Sequence, residues 1–226
     1  MKSLTEPKIS FAALLIALLA LIGIYPIFEG RVWGGLLMEI MLSLILLSSV
    51  LTLMENRRTM VAGLILLAPP LTLNWISHYN NSLIITSLMS YTTIVFMLFV
   101  VIMIGRTILN KPQVTRDSIF GALCIYLLLG IVWALVYSII ELHNPGSLSI
   151  DAAIASGTID SKFGQGFLSF LYFSYVTMTT LGYGDVSPVT PVVQSLSILQ
   201  AIVGQFYVAT VIASLVATHI ARRQRS

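Results

Sequence analysis

Thr180-Leu181-Gly182-Tyr183-Gly184-Asp185 stands between two long apolar segments, and its reading decides the fold. Two glycines separated by one residue let the backbone take conformations that a Cβ resists. A strand of this kind can turn successive carbonyl oxygens to one side and hold them there. Four such strands around an axis would replace the water shell of a cation with protein oxygens. Gly182-Tyr183-Gly184-Asp185 alone would also suit an ordinary turn between membrane helices. An aromatic stretch before it and apolar segments on both sides favour an ion-selectivity filter.

Composition places the chain in a membrane. Of its 226 residues, 57% are hydrophobic and 9% charged, against about a quarter charged in a soluble domain. Six stretches reach the length of about 20 residues that crosses the hydrocarbon; they cover residues 11–28, 33–53, 59–77, 82–104, 119–142 and 191–217. Residues 167–180 form a shorter apolar run, too short to span and therefore re-entrant. The expected fold is all-α: six transmembrane helices, with a re-entrant pore helix and the filter between the fifth and sixth. Cys124, the single cysteine, lies inside the fifth span and is expected to pack as a small apolar residue.

The basic residues set the orientation. With both termini in the cytoplasm, ten of the twelve lysines and arginines fall inside, and only Arg31 and Lys162 fall outside. That is the asymmetry of the positive-inside rule. The net charge of +3 thus reflects topology and carries no nucleic-acid patch. Lys2 and Lys8 precede an apolar run without a small-residue cleavage site after it, so an uncleaved signal-anchor is expected. Tyr25, Trp33, Trp75 and Tyr79 lie near outer span ends and read as interface anchors.

With these segments in place, the chain resembles the potassium channel family. The signature Thr-x-Gly-Tyr-Gly-Asp stands as Thr180, Leu181, Gly182, Tyr183, Gly184 and Asp185. The likeness extends back through Val176-Thr177-Met178-Thr179 and forward through Pro188-Val189-Thr190, and covers roughly the last half of the chain. It implies that the carbonyls of Thr180, Leu181, Gly182 and Tyr183, with the Thr180 hydroxyl, form stacked K+ sites. Gly184 completes the strand and Asp185 marks the outer mouth. Leu181 and Tyr183 are expected to turn their side chains away from the ion, against a pore helix over residues 167–179.

Several positions depart from the family pattern. Leu181 stands where Val or Ile is commoner, and Val176 where some relatives carry glutamate. Tyr172 and Phe173 replace paired tryptophans; Tyr172 keeps a hydroxyl for Asp185, whereas Phe173 offers Tyr183 no polar group. These filter-support positions imply a looser outer filter that inactivates readily. Glu141, Asp151 and Asp160 also fall outside, where they concentrate cations or simply occupy solvated loops.

The chain divides near Asn110-Lys111-Pro112. Residues 1–110 form a four-helix peripheral membrane domain, and residues 111–226 the pore domain. The peripheral domain occupies the place of a voltage sensor, yet its fourth span contains no Lys, Arg, Asp or Glu. Each charge moved through the field contributes about 2.3 kcal/mol per 100 mV, so weak voltage dependence is expected. Pro69-Pro70 should kink or break the third span, as a hinge or as a packing irregularity. Glu39 is the one carboxylate within a span; a proton sensor, a bond to a neighbouring span and simple solvation near the outer end are the alternatives.

One filter per chain calls for a closed homotetramer. Gly204, midway along the sixth span, is the candidate gate hinge, with close helix packing as the other reading. Thr210, Ala213, Ser214 and Ala217 below it are small enough to line the lower pore. No cytoplasmic nucleotide- or calcium-binding domain is expected. The function expected is passive, K+-selective conduction in the plasma membrane, or the inner membrane of a bacterial cell. The alternative is a regulatory or non-conducting subunit of hetero-oligomers. A membrane enzyme is not expected, because His78, His143 and His219 are scattered and no nucleotide loop or organic cofactor motif occurs. Uptake transporters of the related superfamily need four filter repeats, and this chain has one.

Overall fold

A computed structural model describes residues 11–28, 34–51, 57–79, 82–110, 113–150 and 163–223. Within them the chain is overwhelmingly helical. Helices α1 (Ala12–Phe28), α2 (Gly34–Leu51), α3 (Arg57–Tyr79) and α4 (Leu83–Asn110) precede α5 (Arg116–His143). Then come strand β1 (Leu148–Ile150), helix α6 (Phe163–Met178), strand β2 (Val186–Pro188) and helix α7 (Pro191–Phe206). A π-helical segment (Tyr207–Ile212) leads directly into α8 (Ala213–Arg223).

Among the described residues, four helical stretches are long and apolar enough to cross a membrane: Arg57–Ser77, Leu83–Asn110, Arg116–His143 and Pro191–Thr218. Helices α1 and α2, at 17 and 18 residues, rise about 26 Å, the low end of what a bilayer of about 30 Å requires. The chain is an all-α membrane protein, with one small strand pair as the exception among the described residues. Polar side chains in these helices bond back to their own turn. Ser49 donates to the Ile45 carbonyl at 2.7 Å, Ser90 to Thr86 at 3.0 Å and Thr93 to Met89 at 2.7 Å. In hydrocarbon no water would satisfy them otherwise.

Pro69 and Pro70 do not break α3, which runs unbroken from Arg57 to Tyr79. A membrane helix tolerates the lost donors because neighbouring helices hold it in place. Helix α4 runs six residues past the apolar stretch and takes exposed Arg106 into its last turns. Helix α5 begins at a capping box: Thr115 Oγ1 accepts from the Ser118 amide, and Ser118 Oγ from the Thr115 amide, both at 3.3 Å.

The helices α1 to α4 pack in sequence, and α5 closes against both α4 and α1. Asp117 Oδ1 accepts the Phe11 amide at 2.8 Å, so a carboxylate of α5 caps the start of α1. The Phe11 ring lies on Gly121, where an added Cβ would stand 2.9 Å from Phe11 Cδ2. Cys124 is free and buried beside them, as expected of a small apolar residue. One apolar cluster joins α1, α2, α4, α5 and α6 through Leu14, Ile45, Phe96, Leu128 and Leu171. The peripheral helices and the helix before the filter motif therefore share a core.

Glu39 does not have the solvated carboxylate that its place near a span end suggests. Its Oε2 is buried, and Asn74 of α3 donates to its backbone carbonyl at 3.3 Å. Asn74, itself buried, also reaches Ser43 Oγ at 3.4 Å. Of the anchors, Trp75 is exposed; Trp33 and the side chains of Tyr25 and Tyr79 lie outside the described residues. So do Lys2, Lys8, Arg31, Lys111, Asp151, Asp160 and Lys162.

Candidate functional site

Helix α6 begins four residues before the expected start and ends at Met178, followed by the motif as a non-helical loop. Its end has a definite geometry. The Leu181 amide donates to the Val176 carbonyl at 2.9 Å and the Thr180 amide to Thr177 at 3.1 Å. Nested bonds of this pattern, closed by a left-handed residue, form the Schellman cap. The left-handed residue is Thr180, at φ 59°. Glycine or asparagine usually takes that place, and a β-branched residue there carries strain on the order of 1–3 kcal/mol.

From Thr180 the backbone alternates. Positive φ recurs at Gly182 (62°) and Gly184 (84°), while Leu181 and Tyr183 between them stay negative. In an ordinary strand successive carbonyls point to opposite sides; reversing φ at every second residue brings them to one side. Among the described residues, no donor bonds to the carbonyls of Thr180, Leu181, Gly182 or Tyr183. These four carbonyls accept no hydrogen bond from the described residues, so their lone pairs are left for another partner. The Thr180 hydroxyl at the lower end accepts from Gln205 Nε2 at 3.4 Å.

Within one chain Leu181 and Tyr183 are 55% and 67% exposed, so α6 alone does not bury them. The supporting positions are otherwise ordered. Tyr172 donates to Asp185 Oδ2 at 2.5 Å, and Asp185 Oδ1 accepts the Val186 amide at 3.0 Å. Phe173 is buried with its ring edge-on to Tyr137, centroids 5.0 Å apart. Val176 is buried as well, and its carbonyl serves the cap.

Beyond the motif the chain is tied down by a feature the sequence did not announce. Strand β2 pairs antiparallel with β1, with Ser149 opposite Ser187 and Ile150 opposite Val186. Glu141 lies in the last turn of α5 and is partly exposed. Its Oε1 accepts the Gly146 amide at 2.7 Å and its Oε2 the Leu148 amide at 3.0 Å, which shapes the turn into β1. The upper end of α5 thus holds the exit of the loop.

Behind the motif lies a buried polar network that joins three helices. Tyr137 of α5 donates to Gln200 Oε1 of α7 at 2.7 Å. Gln200 Nε2 donates to Ser174 O of α6 at 2.9 Å and approaches Ser174 Oγ at 2.8 Å. Ser174 Oγ donates to the Gly130 carbonyl at 2.6 Å. Nearby, Tyr175 donates to Leu127 O at 2.7 Å, and an added Cβ on Gly130 would meet the Tyr175 ring at 2.3 Å. Gln200 is one of three glutamines in α7, and its partners are too distant along the chain for the sequence to single it out.

Gly204 is buried against the end of α6, where an added Cβ would lie 2.4 Å from the Met178 carbonyl oxygen. The structure thus brings Gly204 to the base of the loop by close packing within a regular helix. The irregular π segment starts three residues lower. Thr210, Ala213, Ser214 and Ala217 are all exposed on or just below it. Tyr207 ties that level to α5 through the Ala122 carbonyl at 2.9 Å.

Residues 121–220 match a family described as ion channel. The matched stretch runs from early α5 through the motif into α8, so it contains every element just described around the loop. No curated protein and no solved structure matches the chain.

Proposed function

We propose that the chain is the subunit of a homotetrameric channel that conducts K+ passively and selectively. The observation that carries this reading is the alternation of φ at Thr180, Gly182 and Gly184, with four unbonded carbonyls along it. Ion movement needs sites that replace hydration yet hold weakly enough to release, and a short series of carbonyl rings provides both. Thr180, Leu181, Gly182, Tyr183 and Gly184 form the filter, with K+ as cargo. Asp185, held by Tyr172, lies at the outer mouth. Helix α6 aims its partially negative C-terminus at the ion below the filter.

Four-fold assembly is supported by what a single chain leaves bare. On α7 only Val193, Gln200 and Gly204 are buried, while Ile198, Leu199, Ile202 and Phe206 are exposed. Together with Leu181 and Tyr183, these residues offer an apolar surface to neighbouring subunits around the axis. In this reading six helices span the plasma membrane, α6 is re-entrant and both termini are cytoplasmic. Residues 1–110 surround a pore domain of residues 111–226, and no organic cofactor or catalytic step is involved. The decisive experiment is reconstitution into liposomes with opposed sodium and potassium gradients. The reversal potential is expected to follow the potassium gradient; a potential insensitive to potassium would refute selective conduction.

A further inference from the structure

Gln200, Tyr137 and Ser174 have no solvent-accessible surface. Each polar atom of the Gln200 amide is engaged, Oε1 by the Tyr137 hydroxyl of α5 and Nε2 by Ser174 of α6. Ser174 Oγ in turn donates a hydrogen bond to the Gly130 carbonyl. Within a membrane protein such groups have no water to replace a lost partner, so the network stays satisfied only while three helices keep one relative position. Ser174 lies one helical half-turn before Val176, whose carbonyl takes the Leu181 amide and so closes the turn into the loop. The height and rotation of α6 are therefore linked to the height of the row of carbonyls.

We infer that Gln200 is a positioning residue for the filter: by holding Ser174 and Tyr137 together it fixes α6 against α7, and through the Val176–Leu181 bond it sets where the filter carbonyls stand. This rests on the channel reading above. Selectivity depends on that placement because the carbonyl oxygens must match the shell of one ion more closely than that of another. Loss of the network should therefore relax ion discrimination in a channel that still assembles and conducts.

The test uses the full chain and two variants, Gln200→Met and Tyr137→Phe, reconstituted in liposomes. The K+/Na+ permeability ratio is read from the reversal potential, and subunit number from the mass of the purified assembly. Gln200→Met keeps length and removes every hydrogen bond; it should lower the ratio about tenfold, with Tyr137→Phe, lacking one hydroxyl, intermediate. A K+-selective wild type with both variants at its ratio would overturn the positioning role and leave the channel reading standing. A wild type without potassium preference would overturn both. If Gln200→Met does not assemble, Tyr137→Phe decides: a lowered ratio supports the role, and an unchanged ratio overturns it.

Discussion

Thr180 shows how much a single residue contributes here. A left-handed Thr at the end of α6 is an uncommon choice, since a glycine would close the same cap without strain. What the threonine adds is a hydroxyl level with the lowest carbonyl of the loop, where Gln205 meets it. The strain is offset by the packing of α6, and Gly130 is the residue that sets how close that packing is. An alanine at Gly130 would bring its Cβ to 2.3 Å from Tyr175 Cε1 and 2.7 Å from Cζ. The ring cannot simply step aside, because its hydroxyl is held by Leu127 O. Gly130→Ala is therefore expected to destabilise the protein by about 1–3 kcal/mol, seen as a lower unfolding temperature in detergent. An unchanged temperature would mean that the ring and α6 shift freely, contrary to the close fit described.

At the scale of elements, Gly204 and the π segment divide the last helix into two parts. Above Gly204, α7 is fastened to α6 by Gln200 and by the approach of Gly204 to Met178; below it, Tyr207–Ile212 leaves regular α geometry. Such π segments mark places where a helix bends or rearranges. Gly204 makes a close contact with the end of α6, and the departure from regular geometry lies in the segment beneath it. Gly204→Ala should weaken the packing of α7 on α6, because the new methyl meets backbone that cannot rotate away. A loss of about 1–3 kcal/mol is expected, measurable as earlier thermal unfolding of the assembly. If the variant instead unfolds like wild type but stays shut to ions, the hinge lies at Gly204 after all. The long spans were legible because length and apolar content alone decide a membrane helix, and the motif because its glycines announce special backbone. The β1–β2 ribbon was not legible, since each strand has three residues and the pairing joins positions far apart in the chain. The first turn of α6 was missed because Gly164 and Gly166 have low helix propensity and argue locally for a loop. The π segment contains no Gly or Pro to mark it.

For the whole molecule, the question is what the first four helices do for the pore. They share an apolar core with α5 and α6, so they brace the helix that precedes the Thr180–Asp185 motif. A voltage sensor would need, in addition, charges able to move through the membrane field. Helix α4 has none from Leu83 to Gly105, and Arg106 is exposed near the helix end. Moving one charge fully across yields about 2.3 kcal/mol per 100 mV, and steep activation requires several such charges in each subunit. Without them the field exerts little leverage on this bundle, which meets α5 and α6 through apolar packing and the Asp117–Phe11 hydrogen bond. Open probability in planar bilayers should therefore vary only weakly with voltage, with no gating current preceding ion flow. Neutralising the residue nearest the field, Arg106→Gln, should leave the conductance–voltage relation where it was. A steep relation that flattens in Arg106→Gln would show instead that the end of α4 enters the field and works as a sensor.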